Sequence, residues 1–175
     1  MIRGSQIHLR PVALADLPQL DAWASDPDFL SEYNNFGLTS PNSYSQRFTG
    51  EGLLTDRQGT LLVVLPDGTA VGDVSFHEVG YGPGWSNRAY NIGIALVPVY
   101  RGQGYGSEAQ RLLAAYLFAT YPIMRVEAST DVTNLPEQHA LEKAGFTREG
   151  ILRKAQWRGG SWHDLMVYSK LRGEE

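Results

Sequence analysis

Tyr100-Arg101-Gly102-Gln103-Gly104-Tyr105-Gly106-Ser107 places three glycines within five positions, between an apolar run ending at Val99 and a helical pattern beginning near Gly104. Residues without a Cβ turn sharply and let a ligand come close to the main chain. The free N–H groups and the positive dipole end of a following helix then form a site for an anion. The stretch is expected to hold a diphosphate; a tight turn with no ligand is the plainer alternative. A P-loop needs Lys and Ser/Thr behind its last glycine, whereas Ser107-Glu108 follow Gly106 here, so that reading fails. A dinucleotide fingerprint started at Gly102 meets Ser107 where its third glycine should stand. That motif would also lie deep in the chain rather than in a first βαβ unit. Glu127 is at about the distance of a ribose-binding acid, which keeps a dinucleotide-binding oxidoreductase as an alternative.

The segments around the loop read as alternating strands and helices. Upstream, Arg88 to Val97 forms a strand with Ala89, Asn91, Gly93 and Ala95 on one face and Tyr90, Ile92, Ile94 and Leu96 on the other. Before it, Leu61–Leu65 and Ala70–Val79 make a hairpin across Pro66-Asp67-Gly68-Thr69, with Gly72 marking a bulge. Downstream, Ala109, Leu112, Leu113, Tyr116 and Leu117 form one continuous helical stripe, with Glu108 favoured in the first turn by the dipole. Ile123 to Thr130 is the next strand. Pro136 opens a helix whose stripe is Ala140, Leu141 and Ala144, and which Gly145-Phe146 ends in a Schellman stop. Leu152–Trp157, a turn at Arg158–Ser161 and Trp162–Leu171 close the chain as a hairpin. At the start, Gln6–Arg10 is a short strand and Leu14, Leu17 and Leu20 begin a helix. A short helix over Asp28–Glu32, a loop over Tyr33–Tyr44 and a weak helix over Pro41–Leu53 follow.

At 175 residues, with 42 % apolar and 19 % charged side chains, the chain is expected to fold as one domain spanning 1–175. The net charge of −4 and the absence of a Lys/Arg cluster argue against a nucleic-acid partner. No apolar run approaches the roughly 20 residues of a bilayer span, so no membrane association is expected. Met1 to Gln6 lacks the apolar segment of a signal peptide, which makes a cytoplasmic location the expectation. Without cysteine there is no disulfide, thiolate zinc site or cysteine nucleophile, and the four histidines have no ligand-like spacing, so no metal is expected.

One arrangement of motifs joins these pieces. It comprises His8-Leu9-Arg10-Pro11, Asp16-Leu17, Asn91-Ile92-Gly93-Ile94, Pro98 ahead of Arg101-Gly102-Gln103-Gly104-Tyr105-Gly106, Asn134, Leu141-Glu142-Lys143-Ala144-Gly145-Phe146, Glu149-Gly150 and His163-Asp164. Over nearly its whole length the chain resembles the GNAT superfamily of acyl-CoA-dependent N-acyltransferases, and within it the RimJ/RimL-like branch. The resemblance implies an α/β (α+β) GNAT fold: a mixed, mostly antiparallel sheet splayed at its middle, with helices on both faces. It implies an acetyltransferase using acetyl-CoA as co-substrate and a primary amine as acceptor, either a protein N-terminus or a small molecule. The diphosphate would lie on backbone N–H groups from Gln103 to Ser107, including Gly104, Tyr105 and Gly106, with Gly102 shaping the loop and Arg101 adding a cation. Leu96 and Val97 would bond the pantetheine and point an N–H at the thioester oxygen, and Asn134 would reach the same arm.

The departures from the family pattern bear on mechanism. Asn91 and Gln156 stand where related enzymes often carry Glu, Glu137 stands where Ser is common, and Leu141 where Tyr is. An amide does not accept a proton at neutral pH, so a non-catalytic acyl-CoA-binding module stays as an alternative. Glu137 is either a dipole-stabilised first-turn carboxylate or an acid/base group. Asp73, His77 and Glu78 are either solvated strand residues or candidates for the base. Tyr33, Phe36, Tyr81, Trp85 and Trp157 either line an acceptor pocket or pack elsewhere. His163-Asp164 are strand neighbours that point to opposite faces, which disfavours a dyad. The exposed faces of the last hairpin leave room for a homodimer.

Overall fold

The computed structural model describes residues 1–174; Glu175 and the side chain of Trp85 lie outside the described residues. Its strands are β1 (Ile2–Arg3), β2 (His8–Pro11), β3 (Gln58–Val64), β4 (Ala70–Gly80), β5 (Arg88–Leu96), β6 (Arg125–Asp131), β7 (Thr147–Arg158) and β8 (Ser161–Leu171). The helices are α1 (Leu17–Trp23), α2 (Pro27–Asn34), α3 (Ser43–Gly50), α4 (Tyr105–Thr120) and α5 (Leu135–Lys143). The eight strands form one sheet in the order β1-β2-β3-β4-β5-β6-β8-β7, antiparallel at every step except β5–β6.

That exception positions everything else. The parallel pair β5–β6 is held only at Tyr90↔Val126 and Asn91↔Glu127. Past those two residues the strands part, and the sheet opens as a V towards their C-terminal ends. This is the splayed, mostly antiparallel sheet with helices on both faces expected from the sequence.

Alternation along the strands sends apolar side chains to two separate cores. Leu61, Val63, Phe76, Tyr90 and Ile92 face Leu113, Leu117 and Leu141 of α4 and α5. Leu62 and Val64 face Leu17, Leu20, Trp23 and Phe29 of α1 and α2. The stripe expected for α4 is buried at Ala109, Leu112, Leu113 and Leu117. At the edge of the first core, Glu108 is buried in the first turn of α4, where it takes the N–H and hydroxyl of Ser5 and the N–H of Gln6. The turn ahead of β2 is thereby tied to the start of that helix, a job beyond the dipole role read from sequence.

Several boundaries differ from expectation for local reasons. A two-residue turn at Gly159-Gly160, both at positive φ, shortens the expected Arg158–Ser161 turn and lets β7 and β8 run longer. The β3–β4 pairing slips between Val63 and Val64, beside Gly72, where a Cβ would come within 2.2 Å of the Ala95 carbonyl oxygen. The helix α2 continues into the expected Tyr33–Tyr44 loop, but it is broken at Ser31, whose φ of 58° and ψ of −179° lie in a region that L side chains rarely adopt. The stop after α5 forms as expected: Phe146 N–H bonds Leu141 O and Gly145 N–H bonds Glu142 O, both at 3.0 Å, with Gly145 at φ 84°.

Candidate active site

The V between β5 and β6 holds a cleft of about 430 Å³. Its walls come from Ile92 to Leu96, Ala128 to Asp131, the glycine loop, one face of α5, the end of α2, and Gln156. Lying beyond the carboxyl ends of two parallel strands, it occupies the position where open sheets with mixed order bind ligands.

On its α4 side the cleft is made of backbone. Gly104, at φ 87°, is the N-cap of α4, and no side chain caps the helix. The first intrahelical N–H is that of Glu108, bonded to Gly104 O at 3.1 Å, so the N–H groups of the turn before it face outward at the positive end of a 16-residue dipole. Gly106 packs α4 against β5: a Cβ there would rest 3.7 Å from Leu96 and 3.8 Å from Ile94. On β5 itself, Val97 N–H donates to Val71 O at 2.9 Å, which assigns the odd-numbered residues to β4. The even-numbered residues face β6, and beyond the Asn91↔Glu127 bridge the N–H groups of Ile94 and Leu96 point into the V.

Of the two residues expected at the pantetheine, Leu96 and Val97, Val97 has its N–H taken by Val71 and its carbonyl by Tyr100 N–H at 2.9 Å. The open positions are Ile94 and Leu96. Arg101 lines the cleft but spends Nε on Leu96 O and one terminal nitrogen on the carbonyls of Asp28 and Phe29, at 2.8–2.9 Å. It pins α2 to the end of β5 and offers an anion its charge more than its fork. Gly102, Gly104, Gly106 and Ser107 line the cleft; Gln103 turns its amide back to Val99 O at 2.8 Å, and neither it nor Tyr105 contributes to the wall.

Asn134 and Glu137 come from the start of α5. Asn134 caps that helix, its Oδ1 accepting Glu137 N–H at 3.4 Å while its Nδ2 donates to Thr130 Oγ1 at 3.0 Å. Although it lines the cleft, its amide is largely committed to the cap. The Glu137 carboxylate accepts Gln110 Nε2–H at 2.8 Å. Burial pushes its carboxyl up to about 7 against the opposing pull of that amide. Gln110 is buried, and its Oε1 has no partner among the described residues. A turned amide would accept a proton-bearing Glu137 equally well, so the pair suits both states of the acid.

The other wall is a network of side chains from distant elements. Asp131, at the end of β6, accepts Arg158 at 2.5 Å and His163 Nδ1 at 2.8 Å on Oδ2, and Thr133 N–H and hydroxyl on Oδ1. Burial works against its ionisation, but the Thr133 donors and the Arg158 guanidinium outweigh it and bring the carboxyl down to about 2. Arg158 also donates to Gln156 Oε1 and lies 5.6 Å from the Tyr33 ring centroid. Tyr33, Asn34, Phe36 and Gln156 complete this side.

Other residues singled out in the sequence lie outside the cleft. Asp73 is buried on β4 opposite Ala95, where its carboxyl, pushed up to about 7 by burial, meets only the Tyr44 hydroxyl at 3.4 Å. His77 is exposed further along that strand, opposite Asn91, and Glu78 pairs with Arg88 at 3.3 Å. Tyr81 bonds Glu127, which also takes Arg125 at 2.9 Å, so the candidate ribose acid is an internal ion-pair partner. Trp157 packs edge-on against Trp162, ring centroids 5.4 Å apart. Asp164 accepts Lys154 N–H while His163 turns to Asp131, the opposite-face arrangement expected. Gln110, Asp131 and Arg158 were not anticipated; only for Asp131, at the end of a parallel strand, did the sequence hold a signal.

The glycine loop, helix α4 and the splayed strands β5 and β6 all lie within one family match: a family model for the acetyltransferase (GNAT) domain matches residues 6–147. The chain belongs to the GNAT acetyltransferase family. Among GNAT proteins, Probable N-acetyltransferase YjcK of Bacillus subtilis (strain 168) is 29 % identical over 188 residues, 100 % of this chain and 99 % of that relative. The same fold is found in the spermidine N-acetyltransferase from Vibrio cholerae, solved with CoA and spermine, at a TM-score of 0.83 and 18 % identity over 98 % of each chain. Mycobacterium smegmatis RimJ, solved with CoA-disulfide, gives a TM-score of 0.80 and 22 % identity over 96 % of this chain and 83 % of that one. The chain is thus an enzyme of the acetyl-CoA-dependent N-acetyltransferase family.

Proposed function

We propose that this GNAT domain moves an acetyl group from acetyl-CoA to a primary amine, on a protein N-terminus or a small molecule, by direct attack of the amine on the thioester. The observation that carries this reading is the meeting of an uncapped α4 N-terminus, the open β5 edge and the Glu137 carboxyl in one cleft. The open N–H groups of α4 and the positive-φ turns at Gly102 and Gly104 hold the diphosphate. Ile94 and Leu96 offer N–H groups to the pantetheine and to the oxygen that becomes anionic when nitrogen adds to the thioester carbon. As the C–N bond forms and the C–S bond breaks, Glu137 gives its proton to the departing thiolate and regains one from water. Asp131, held ionised near 2, is a poor base, so the amine loses its proton to water in the open cleft. Neither Asp73 nor His77, the other two catalytic candidates, has a place in this scheme.

The test is Glu137→Gln. General-acid assistance is worth about 10²-fold or more, so kcat should fall by about that factor while the KM for acetyl-CoA stays within about threefold. An acid must carry its proton, so the wild-type rate at saturation should decline as pH rises through about 7, and the variant should lack that limb. An unchanged rate would leave Glu137 a helix-stabilising carboxylate.

A further inference from the structure

The acceptor side of the cleft presents a fixed hydrogen-bond donor where a negative charge would be needed to hold a polycation. Gln156 is half-buried on β7, and its Oε1 accepts from Arg158. A guanidinium can only donate, so the amide cannot be flipped: the oxygen must face Arg158 and the nitrogen must face away from it. Arg158 is itself immobilised by Asp131 and the Tyr33 ring. Gln156 Nε2 bonds no other described residue, and the side chain lines the cleft. Two carboxylates also line it. Asp131 is committed to Arg158, His163 and Thr133, and Glu137 lies across the cleft beside Gln110. A second ammonium on the acceptor finds no free counter-charge among these groups, whereas an oxygen acceptor finds Nε2–H.

We infer that Gln156 is the specificity-determining residue of the acceptor site, its amide nitrogen donating to a carbonyl or carboxylate oxygen beside the reacting amine. The acceptor class is then an α-amino carbonyl compound (amino acid, amino-acid amide or peptide N-terminus), not a polyamine. This rests on the proposed amine acetylation and adds the choice of amine. The arrangement explains why an amide serves here: a carboxylate at 156 would pair with Arg158 and offer the acceptor no donor at all.

The experiment measures thiol release from acetyl-CoA with alanine, alaninamide, alanyl-alanine, isopropylamine and spermidine. The wild type should show a kcat/KM for at least one of the three alanyl acceptors about tenfold or more above those for isopropylamine and spermidine; which of the three leads distinguishes a free carboxylate, a small carbonyl and a peptide. A site that hydrogen-bonds its substrate loses discrimination sharply when the partner is removed, so Gln156→Leu should lower the alanyl-to-isopropylamine ratio by about 10- to 100-fold. Gln156→Glu, which keeps an acceptor for Arg158 and so protects the fold, should lower the same ratio and narrow the gap to spermidine. A ratio unmoved in both variants, or a wild type that prefers spermidine, overturns the inference while leaving amine acetylation standing. Acetyl-CoA bound by calorimetry but transferred to none of the amines would overturn the parent reading and this one with it.

Discussion

The two sides of the cleft are built from different materials. The α4 side is main chain: two left-handed glycines, an uncapped helix start and the free N–H groups of alternate β5 residues. The facing side is made of side chains drawn from α2, β6 and β7, held in place by a buried ion pair. A backbone site tolerates changes of side chain and fails when a conformation is forbidden. A side-chain site keeps its backbone and fails when one partner of a network is lost. One chemistry can thus be kept on the first side while the second is altered to take a different amine.

Four substitutions, three in or beside the cleft and one behind it at Asp73, probe these behaviours. Arg158→Met leaves the Asp131 carboxylate buried without its guanidinium; removing one member of a buried pair costs about 3 kcal/mol or more. Chemical denaturation should show that loss, and calorimetry on the folded variant should give an acetyl-CoA Kd close to wild type. A matching loss of acetyl-CoA affinity would mean that the two sides are not independent. Gly104→Val forces a β-branched residue to φ 87° at the proposed diphosphate cradle. Acetyl-CoA binding should weaken by at least about 100-fold, equivalent to about 2.7 kcal/mol, with the far-UV circular dichroism unchanged.

The third substitution uses pH. Burial raises the Asp73 carboxyl to about 7 in the folded chain, above its unfolded value near 4, so the folded state holds the proton more tightly. The stability this group allows is therefore fully present below about pH 4 and is lost as pH rises through 7. Asp73→Asn should raise unfolding free energy by up to about 4 kcal/mol at pH 8 and by nothing measurable at pH 4. Equal gains at both pH values would deny that ionisation is the cause. The smallest effect belongs to Ser31→Gly, which relieves φ 58°, ψ −179° at the cleft wall but adds chain entropy to the unfolded state. A net gain of about 1 kcal/mol is expected, read from the shift in denaturation midpoint at constant slope.

The same division decides what could be read from sequence. Gly102 and Gly104 announce themselves because the property that matters, the lack of a Cβ, is local. So does the stop at Gly145-Phe146. Strand alternation places Ile92, Ile94 and Leu96 on one face, but which N–H groups are free depends on the register with β4, and that register gives the Val97 N–H to Val71. Arg158 read as a turn residue because nothing nearby signals burial; its partner Asp131 is 27 positions away, across β8. Glu127 stood at a suggestive distance from the glycines, yet Arg125 and Tyr81 claim it. Gln156 was noticed only as an amide in place of an acid. Its orientation needed the guanidinium beside it.

The two pairs of residues that join β5 to β6 have a consequence for the edges of the sheet. Strands β1 to β5 join neighbours in sequence as an antiparallel meander, while β6, β7 and β8 bring together the last third of the chain. Within each block the strands pair antiparallel, and the two blocks meet in the sheet at one brief parallel seam, bridged by α4. The V therefore leaves an unpaired strand edge inside the molecule, where α4, α5 and α2 shelter it from other chains, instead of at the rim where such edges recruit them. The candidate cleft also marks the place where the two antiparallel blocks of the sheet are stitched together.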